Sequence, residues 1–256
     1  MSEIQKLNAI AKRIVQDGLI YLINDEDTTA CIIGNIGFID ETIIPRTIKY
    51  LSKEYVITSL LNEDFEFCWY KIKEIKFEPD SEIQVIDNNV FYNSTIQALT
   101  IPASLIDLKE GWCNNIEHLV QIQVMPNNPR YTIYDNKLLI GKSSFEKTNF
   151  DSLIFCFRNI KSVKIPSFIE KIDQFSFSFC KQLQNIDFSI DSKLRIIEEN
   201  AFYESSIKRI RIPDHLTYIK VAAFSNCSKL EQVEISEDSE IQIIDKFAFY
   251  NTSIEH

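Results

Sequence analysis

Apolar residues recur at a fixed period in the C-terminal half of the chain. A pattern of 47 residues occurs twice, and each copy divides into a unit of 23 and a unit of 24 residues. These units start at Ile160, Leu183, Ile207 and Leu230. A period of this length is typical of a solenoid, in which each unit is too short to bury its own apolar face and stacks on its neighbours. The pattern therefore predicts one elongated repeat domain.

Each unit begins with the alternation of a short β-strand. In the unit from Ile207, the apolar residues at the fourth and sixth positions are Ile210 and Ile212, which would share one buried face. Pro166 and Pro213 follow the sixth position in two of the units and end the strand, because proline has no N–H to donate to a neighbouring strand. We therefore expect one strand per unit, always in the same direction, and a parallel sheet along the solenoid.

The same pattern returns in the N-terminal half, weakly at first, so that the units are predicted to start near residues 39, 72, 96, 119, 160, 183, 207 and 230. The unit from residue 119 has 41 residues. Its two late apolar runs, 137–140 and 152–157, indicate an inserted hairpin over about 125–159 that projects from the edge of the solenoid. Since loops that interrupt a regular repeat often carry function, this insertion is one candidate binding region.

Residues 1–38 lack the repeat, and we expect them to cap the solenoid of residues 39–256. In the first segment the apolar residues have the three- and four-residue spacing of an amphipathic helix that extends to residue 16; they are Ile4, Leu7, Ile10, Ala11 and Ile14. Two further apolar runs, 18–23 and 28–33, are joined by an acidic turn and predict a β-hairpin. A helix that binds a partner is the alternative to a helix that caps the core.

Charge and hydropathy exclude several classes of partner. A net charge of −10 argues against a nucleic acid or an anionic membrane surface as the main partner. No run approaches 18 uninterrupted apolar residues, and five charged residues among the first 17 are unlike a secretory signal, so we do not expect this chain to insert into a membrane. The last three residues begin another unit, which suggests that the chain is truncated or that a partner closes its core.

The sequence offers little for catalysis or cofactor binding. Its six cysteines lack the spacing of a zinc site and are interpreted as buried thiols, which suits a reducing compartment. Cys113 and His118 are five residues apart, but no third residue that would orient them as a nucleophile and base is evident. We therefore predict no catalytic residue, no cofactor and no metal site. The sequons at Asn93, Asn226 and Asn251 would be glycan acceptors in a secreted chain.

The repeat motifs resemble those of a known family. The residues that carry the resemblance are Ile165-Pro166 through Ile172, Phe177 and Cys180, their counterparts Ile212-Pro213 through Ile219, Phe224 and Cys227, and the pairs Ala201-Phe202 and Ala248-Phe249. Residues 39–254 are thereby similar to the BspA-like leucine-rich repeat proteins of bacterial and protist cell surfaces. The resemblance implies a β-dominant α/β fold, namely a right-handed solenoid or horseshoe with a parallel sheet. It also implies a location at the cell surface and, for some members, adhesion to host proteins or cells.

The outward positions of the predicted strands form a second candidate binding region. The second, third and fifth positions of each unit point away from the core and form one continuous surface. From residue 160 onwards the charged residues at these positions are Lys161, Lys164, Asp187, Lys208, Arg209, Arg211, Glu231 and Glu234. Their alternating charge allows lateral ion pairs that stabilise a solvated sheet, or a polar face that recognises a protein.

Two functions are open on these observations. The first is a non-enzymatic module of adhesion type, which binds a protein ligand through the strand face and the insertion at 125–159. The second is an intracellular scaffold with the same fold, which the free cysteines and the missing secretory signal favour. The identity of the protein ligand and the oligomeric state are both left open by the sequence.

Overall fold

The computed structural model describes residues 11–36, 40–62, 69 and 71–255. The chain divides into two compact units, Met1–Pro129 and Arg130–His256. Throughout the described ranges the regular secondary structure is β, with 22 strands and no helix. The expected β-dominant fold with parallel repeat strands is therefore confirmed, whereas its α component is not found in these ranges. The division into a cap at 1–38 and a solenoid at 39–256 stays a prediction.

The N-terminal unit contains two sheets. Its strands are β1 (Lys12–Gln16), β2 (Leu19–Asn24), β3 (Thr29–Asn35), β4 (Glu41–Ile44), β5 (Thr47–Tyr50), β6 (Lys53–Leu60), β7 (Glu74–Phe77), β8 (Val85–Ile86), β9 (Ala98–Ile101), β10 (Asp107–Leu108) and β11 (Gln121–Val124). The first sheet has the order β1-β2-β3-β6-β8-β10, antiparallel up to β3 and parallel beyond it, with β5 antiparallel to β6. The second sheet, β11-β9-β7-β4, is parallel throughout.

Strand β1 occupies part of the segment that was expected to be helical. Residues 3–10 lie outside the described residues, but Lys12–Gln16 pairs antiparallel with β2, so the prediction of a helix up to residue 16 was wrong here. Ile14 is the one buried residue of β1, and a single buried residue in five fits the spacing of a strand as well as that of a helix. The β-prone residues of the neighbouring strand β2 form backbone hydrogen bonds with this segment, and this pairing favours a strand over a helix. The hairpin of β2 and β3 is confirmed.

The C-terminal unit contains one long sheet and two short ones. Its strands are β12 (Tyr131–Tyr134), β13 (Leu138–Gly141), β14 (Ser152–Cys156), β15 (Ser162–Ile165), β16 (Lys171–Ile172), β17 (Asn185–Phe188), β18 (Ile196–Ile197), β19 (Arg209–Arg211), β20 (Tyr218–Ile219), β21 (Gln232–Glu234) and β22 (Ile243–Ile244). The long sheet has the order β12-β13-β14-β16-β18-β20-β22 and is parallel from β14 onwards. The parallel pairs β15-β17 and β19-β21 form the short sheets.

Each regular repeat contributes two strands, which corrects the expectation of one. The first is the predicted strand, such as β17 or β19, and the second is a strand of two residues later in the unit, such as β18 or β20. Two residues are too few to show an alternation, so the sequence pattern could not reveal the second strand. Its inward residue, for example Ile197 or Ile219, was recognised only as an isolated apolar position.

Backbone hydrogen bonds join successive turns of the C-terminal unit on three sides, except that the first strands β17 and β19 are not paired with each other. Two sides are formed by the first and second strands, and the third is formed by the turns that follow the second strands. Between the units from 160 and 183 the bonds include Gln184 N to Lys161 O at 2.9 Å, Arg195 N to Glu170 O at 2.8 Å, and Phe177 N to Ala201 O at 2.7 Å. These bonds hold successive turns at about the 4.8 Å spacing of paired strands.

A column of stacked phenylalanines fills the centre of these turns. The rings of Phe177 and Phe202 have centroids 4.6 Å apart, Phe202 and Phe224 are 4.8 Å apart, and Phe224 and Phe249 are 5.1 Å apart. The planes of neighbouring rings differ by 2°, 12° and 4°. The first three side chains are fully buried. The rings of Phe202 and Phe224 are therefore covered on both faces by the rings of the neighbouring turns.

The N-terminal unit packs its aromatic residues differently. Phe91 makes edge contacts with Trp69, at 6.0 Å between centroids, and with Trp112, at 6.5 Å. Cys113 stands where most units have phenylalanine, and it is fully buried. Because Trp112 beside it makes the aromatic contact, the small thiol leaves room for the larger ring. This arrangement agrees with the packing role expected for Cys113.

The segment interpreted as an insertion begins the long sheet of the C-terminal unit. Strands β12, β13 and β14 pair antiparallel, and β14 then pairs parallel with β16. Every residue of β13 and β14 is buried, so these strands do not project from the sheet edge as expected. The N-terminal unit begins in the same way, since antiparallel β1, β2 and β3 lead into parallel β6. The two segments therefore have the same architecture, which their sequences did not indicate.

A buried carboxylate lies between two lysines beside the long sheet. Glu198 follows β18 and is 5% exposed. Its Oε2 lies 2.7 Å from Lys220 Nζ, and its Oε1 lies 3.8 Å from Lys171 Nζ. Lys171 also lies 3.1 Å from Asp173 Oδ1. Three successive turns are thus linked by charge as well as by backbone hydrogen bonds.

Replacement of Phe202 by alanine should destabilise the chain strongly. The change removes a fully buried ring that is stacked on both faces, so we expect a loss of about 3–5 kcal/mol in the free energy of unfolding, measured by urea denaturation. Phe145→Ala is the control, because Phe145 is 70% exposed and should cost less than about 1 kcal/mol. Equal effects of the two changes would contradict a stacked core.

Replacement of Glu198 by alanine should also lower stability, because it leaves two lysines without their shared carboxylate. Since both lysines are partly exposed, we expect a loss of about 1–3 kcal/mol rather than that of a fully buried pair. The matched control is the exposed neighbour Glu199, whose change to alanine should have an effect of less than about 0.5 kcal/mol. Thermal unfolding of both variants measures the difference, and similar losses would argue against the bridging role.

Candidate protein-binding face

The eight charged residues of the predicted strand face are all exposed in the C-terminal unit. They lie on or beside β15, β17, β19 and β21, and the residues between them on the first three strands, Val163, Ile186 and Ile210, are buried. Inward and outward positions therefore alternate as the strand pattern predicts. Whether this face binds a protein stays a prediction.

The register of the strands brings opposite charges side by side. Lys164 pairs with Asp187 across β15 and β17, and Arg211 pairs with Glu234 across β19 and β21. Among the described residues, however, no ion pair joins members of the eight, and Glu234 Oε1 instead accepts a hydrogen bond of 3.0 Å from Gln232 Nε2. The expected lateral ion pairs are thus not formed. The charged groups of this face remain available to a partner.

A groove opens where the strand pairing is interrupted between β17 and β19. It has a volume of about 940 Å³. Its charged and titratable lining residues are Asp187, Arg209, Arg211, Asp214, His215, Glu234 and Asp238. Four of the eight predicted residues therefore line the groove, whereas Lys161, Lys164, Lys208 and Glu231 do not. Cationic and anionic groups lie close together in it, so it suits a partner that itself carries both charges.

An exposed isoleucine stands at the rim of the groove. Ile190 lies in the turn after β17, and its relative exposure is 106%. A single exposed aliphatic side chain is common on protein surfaces and does not by itself indicate a binding site. Beside a polar groove, however, it provides an apolar contact of the kind that contributes binding energy in protein interfaces. Ile190 could not be found from the strand pattern, because it lies in a turn between strands.

A second hollow links the segment at 125–159 to the strand face. It has a volume of about 610 Å³ and is lined by Tyr134, Asp135, Lys164, Pro166, Ser167, Phe168 and Ser189. The rings of Tyr134 and Phe168 meet edge to face with centroids 5.7 Å apart, and both side chains are more than one-third exposed. Ser189 lines both the hollow and the groove. The two candidate regions predicted separately from the sequence thus form one surface of the C-terminal unit.

His215 is held at the groove by a carboxylate from the next turn. Its Nδ1 lies 2.8 Å from Glu240 Oε1, and Arg195 Nη1 donates to both the His215 carbonyl oxygen, at 3.1 Å, and Glu240 Oε2. The hydrogen bonds from His215 and Arg195 lower the pKa of Glu240. The carboxylate therefore stays ionised and keeps the imidazole in place at the lining of the groove.

The loop between β13 and β14 is fixed by Asp151. This carboxylate is buried; its Oδ1 accepts a hydrogen bond from Ser143 N at 2.7 Å and its Oδ2 one from Ser143 Oγ at 2.6 Å. Lys147 Nζ lies 3.0 Å from Asp151 and 2.9 Å from Glu170, so the loop is also tied to the first repeat of the unit. Burial raises the pKa of Asp151, but the bonds from Ser143 and Lys147 outweigh it and lower the pKa.

The other residues considered from the sequence are placed as follows. Cys113 is fully buried and His118 is exposed, which does not suit a nucleophile and its base. The described cysteines, Cys31, Cys113, Cys156, Cys180 and Cys227, are all buried, and the last three are free thiols. In the described ranges no three histidine, cysteine or acidic side chains converge to hold a metal ion. Over the same ranges there is no helix of the length and hydropathy needed to span a membrane.

The three sequons lie in the turns that follow the second strands. Asn93, Asn226 and Asn251 each have a positive φ, between 55° and 59°, which asparagine tolerates better than most residues. Asn251 Nδ2 donates to Asn226 Oδ1 at 2.9 Å, and Asn115 Nδ2 donates to Asn93 Oδ1. These asparagines therefore form side-chain bonds between turns. Their use as glycan acceptors stays a prediction.

Comparison with known proteins agrees with this architecture. The profile of the family described as BspA type leucine-rich repeat region matches residues 44–157 and 140–256, with six copies of the repeat. The chain therefore belongs to the BspA-type leucine-rich repeat family. No match was found among curated protein sequences.

Solved structures of bacterial leucine-rich repeat proteins are similar to the chain. A leucine-rich repeat protein from Eubacterium ventriosum has 18% identity and a TM-score of 0.57, and the match covers 92% of this chain and 75% of that one. The pneumococcal vaccine antigen PcpA has 14% identity and a TM-score of 0.44, with 90% and 82% covered. A leucine-rich cell surface protein from Faecalibacterium prausnitzii has 16% identity and a TM-score of 0.36, with 91% and 99% covered. The first of these supports the same fold.

Replacement of Asp151 by asparagine should remove a pH-dependent part of the stability. Because the folded-state pKa of Asp151 is lowered, its contribution is fully present above the unfolded value of about 3.9 and is lost as the pH falls through the lower folded value. We expect Asp151→Asn to lose about 1–2 kcal/mol at pH 7, and the difference from wild type to disappear towards pH 2.

Urea unfolding between pH 2 and pH 7 measures this difference. The exposed Asp191 lies in the same unit, and Asp191→Asn is the control, with little effect expected at any pH. A loss for Asp151→Asn that is equally large at pH 2 and pH 7 would show that the carboxylate charge is not responsible.

Proposed function

We propose that the chain is a non-enzymatic module that binds a protein ligand through the C-terminal unit. The binding surface consists of the groove between β17 and β19, the hollow at Tyr134 and Phe168, and Ile190 between them. The observation that carries this proposal is that Ser189 lines both cavities, so that apolar and charged groups are presented side by side. No cofactor, metal or nucleic acid takes part in this function.

The composition of this surface favours a protein over a small molecule. The surface exposes two aromatic side chains and one aliphatic side chain, those of Tyr134, Phe168 and Ile190. Large apolar side chains of this kind contribute much of the binding energy when a partner protein buries them. Arg209 and Arg211 lie beside carboxylates that would discriminate between partners by charge. A partner with an apolar side chain flanked by groups of both charges fits this arrangement.

We further propose that this binding is adhesive and occurs at a cell surface. Support comes from the BspA-type family, for which such a location is suggested. An intracellular scaffold is the second candidate, and the specific observation that favours it is that the cysteines of the C-terminal unit, Cys156, Cys180 and Cys227, are buried free thiols. The two candidates use the same surface and differ in where the ligand is found.

Reversal of charge in the groove should abolish binding. Wild type and the variant Arg209→Glu/Arg211→Glu are applied to an array of extracellular and cell-surface proteins, and we expect wild-type signals to fall at least tenfold in the variant. Lys246→Glu is the control, since Lys246 is exposed but does not line the groove, and it should retain the signals. Ile190→Ala should weaken the same signals without changing the fold.

Two outcomes would contradict the proposal. Wild-type signals that survive the double reversal would exclude the groove as the binding site. An array without any wild-type signal would exclude the adhesive function, and the same comparison on an array of intracellular proteins then tests the scaffold. Circular dichroism of each variant shows that a lost signal is not due to unfolding.

A further inference from the structure

A buried arginine organises the first regular turn of the C-terminal unit. Arg158 follows β14 and is 3% exposed. Its hydrogen bonds are from Nη1 to Cys156 O at 3.1 Å and Ser176 O at 2.8 Å, and from Nη2 to Phe175 O at 3.1 Å and Ser178 Oγ at 3.4 Å. Its guanidinium carbon lies 4.0 Å from the centroid of the Phe155 ring. A positive charge is therefore fixed inside the fold, against the turn of residues 173–180.

Two thiols meet at this charge. Arg158 Nη1 lies 3.4 Å from Cys180 Sγ and 3.1 Å from the carbonyl oxygen of Cys156, so the guanidinium contacts both cysteines. The thiol of Cys156 donates to Phe157 O at 3.7 Å. Burial raises the pKa of Cys180, but the bond from Cys156 and the Arg158 charge outweigh it and lower the pKa to about 7. Burial and the bond to Cys180 raise the pKa of Cys156 well above its usual value. The positive charge of Arg158 therefore favours the thiolate form of Cys180.

Cys227 provides an internal comparison, because it occupies the same position in the repeat as Cys180 two units later. It is equally buried, but its thiol donates to Phe202 O at 3.0 Å and lies 3.3 Å from Ser205 Oγ. Burial raises the pKa of Cys227 to about 11. The reactive form of the thiol is thus favoured at Cys180 by the neighbours that Cys227 lacks.

The turn that covers Cys180 is strained. Phe175 and Phe179 have φ values of 57° and 55°, in the left-handed region that bulky residues rarely adopt. In the next turn the equivalent positions are Asn200 and Glu204. Opening of the turn at 173–180 gives a small oxidant access to the sulfur of Cys180.

We propose that Cys156 and Cys180 form a peroxide-sensitive thiol pair that is oxidised to a disulfide between β14 and this turn. The Cys180 thiolate attacks a hydroperoxide, so that an S–O bond forms, the O–O bond breaks, and the leaving oxygen takes up a proton. Cys156 then attacks the sulfur of the sulfenic acid; the S–S bond forms, and hydroxide leaves and becomes water with the proton of Cys156. With hydrogen peroxide, two thiols lose two electrons and the peroxide becomes two molecules of water.

The test treats the folded full-length chain with hydrogen peroxide at pH 7, blocks the remaining thiols and analyses a non-reduced tryptic digest. The three cysteines fall in separate tryptic peptides, 148–158, 172–181 and 221–229. We expect the first two peptides to appear joined and lighter by two hydrogen atoms, at a rate proportional to the peroxide concentration. The peptide with Cys227 should remain reduced. Failure to join 148–158 to 172–181, or equal oxidation of Cys180 and Cys227, would overturn the proposal.

Variants separate the role of Arg158 from a merely structural one. Arg158→Gln should slow oxidation about tenfold at pH 7, because the ionised fraction of Cys180 falls when its pKa returns towards about 8.5. The variant Arg158→Lys keeps the positive charge, so its thiols should be oxidised within about threefold of the wild-type rate. If Arg158→Gln does not fold, the oxidation rate of Arg158→Lys is measured instead. In Cys156→Ala, Cys180 should stop at the sulfenic acid, which dimedone captures. Unchanged oxidation in folded Arg158→Gln, or no dimedone adduct in Cys156→Ala, would contradict the proposed roles.

Discussion

Backbone hydrogen bonds between successive turns fix the distance between them, and the rest of the C-terminal unit depends on this distance. Between 4.6 and 5.1 Å separate the centroids of neighbouring phenylalanines, close to the spacing of paired strands. A flat ring fills one turn at this spacing and is covered by the rings of its neighbours. No unit of 23 or 24 residues could bury such a ring alone, so the turns stabilise one another.

The same constraint explains where a binding surface can form. Inward positions must be apolar in every turn, so variation is confined to outward positions and to the turns between strands. The turn that carries Ile190 belongs to a 24-residue unit, in which the later apolar residues come two places further on than in a 23-residue unit. Its additional residues have no place in the core. They extend outwards beside the groove where β17 and β19 are not paired.

Much of the fold could be predicted from the sequence, because the same pattern occurs in several units. A short apolar pattern that fits either a strand or a helix in one unit can be assigned when the other units show it too. The period of two at Ile210 and Ile212 identifies a strand only when several units show it. Where the pattern is not repeated, as around Ile14, the spacing fits a helix or a strand and tertiary pairing decides. The second strands were missed for a related reason, since two residues show no period.

The candidate site was predictable only in part. Strand register located Asp187, Arg209, Arg211 and Glu234, but the groove also needs His215 and Ile190, which lie in turns without a pattern. The meeting of Arg158 with Cys180 has no signal in the sequence at all. These residues are 22 positions apart in the sequence, and they come into contact only because β14 packs on the first regular turn. Chemistry of this kind follows from packing and cannot be recognised from composition or spacing.

The stacking of neighbouring turns is tested most directly by double-mutant cycles on the phenylalanine column, with the free energy of unfolding as the measurement. Phe202→Ala and Phe224→Ala remove rings in contact, whereas Phe177→Ala and Phe224→Ala remove rings two turns apart. The adjacent pair should have a coupling energy of about 0.5–1.5 kcal/mol, and the separated pair should be additive within about 0.5 kcal/mol. Equal coupling in both pairs, or none between Phe202 and Phe224, would contradict a core built from stacked turns.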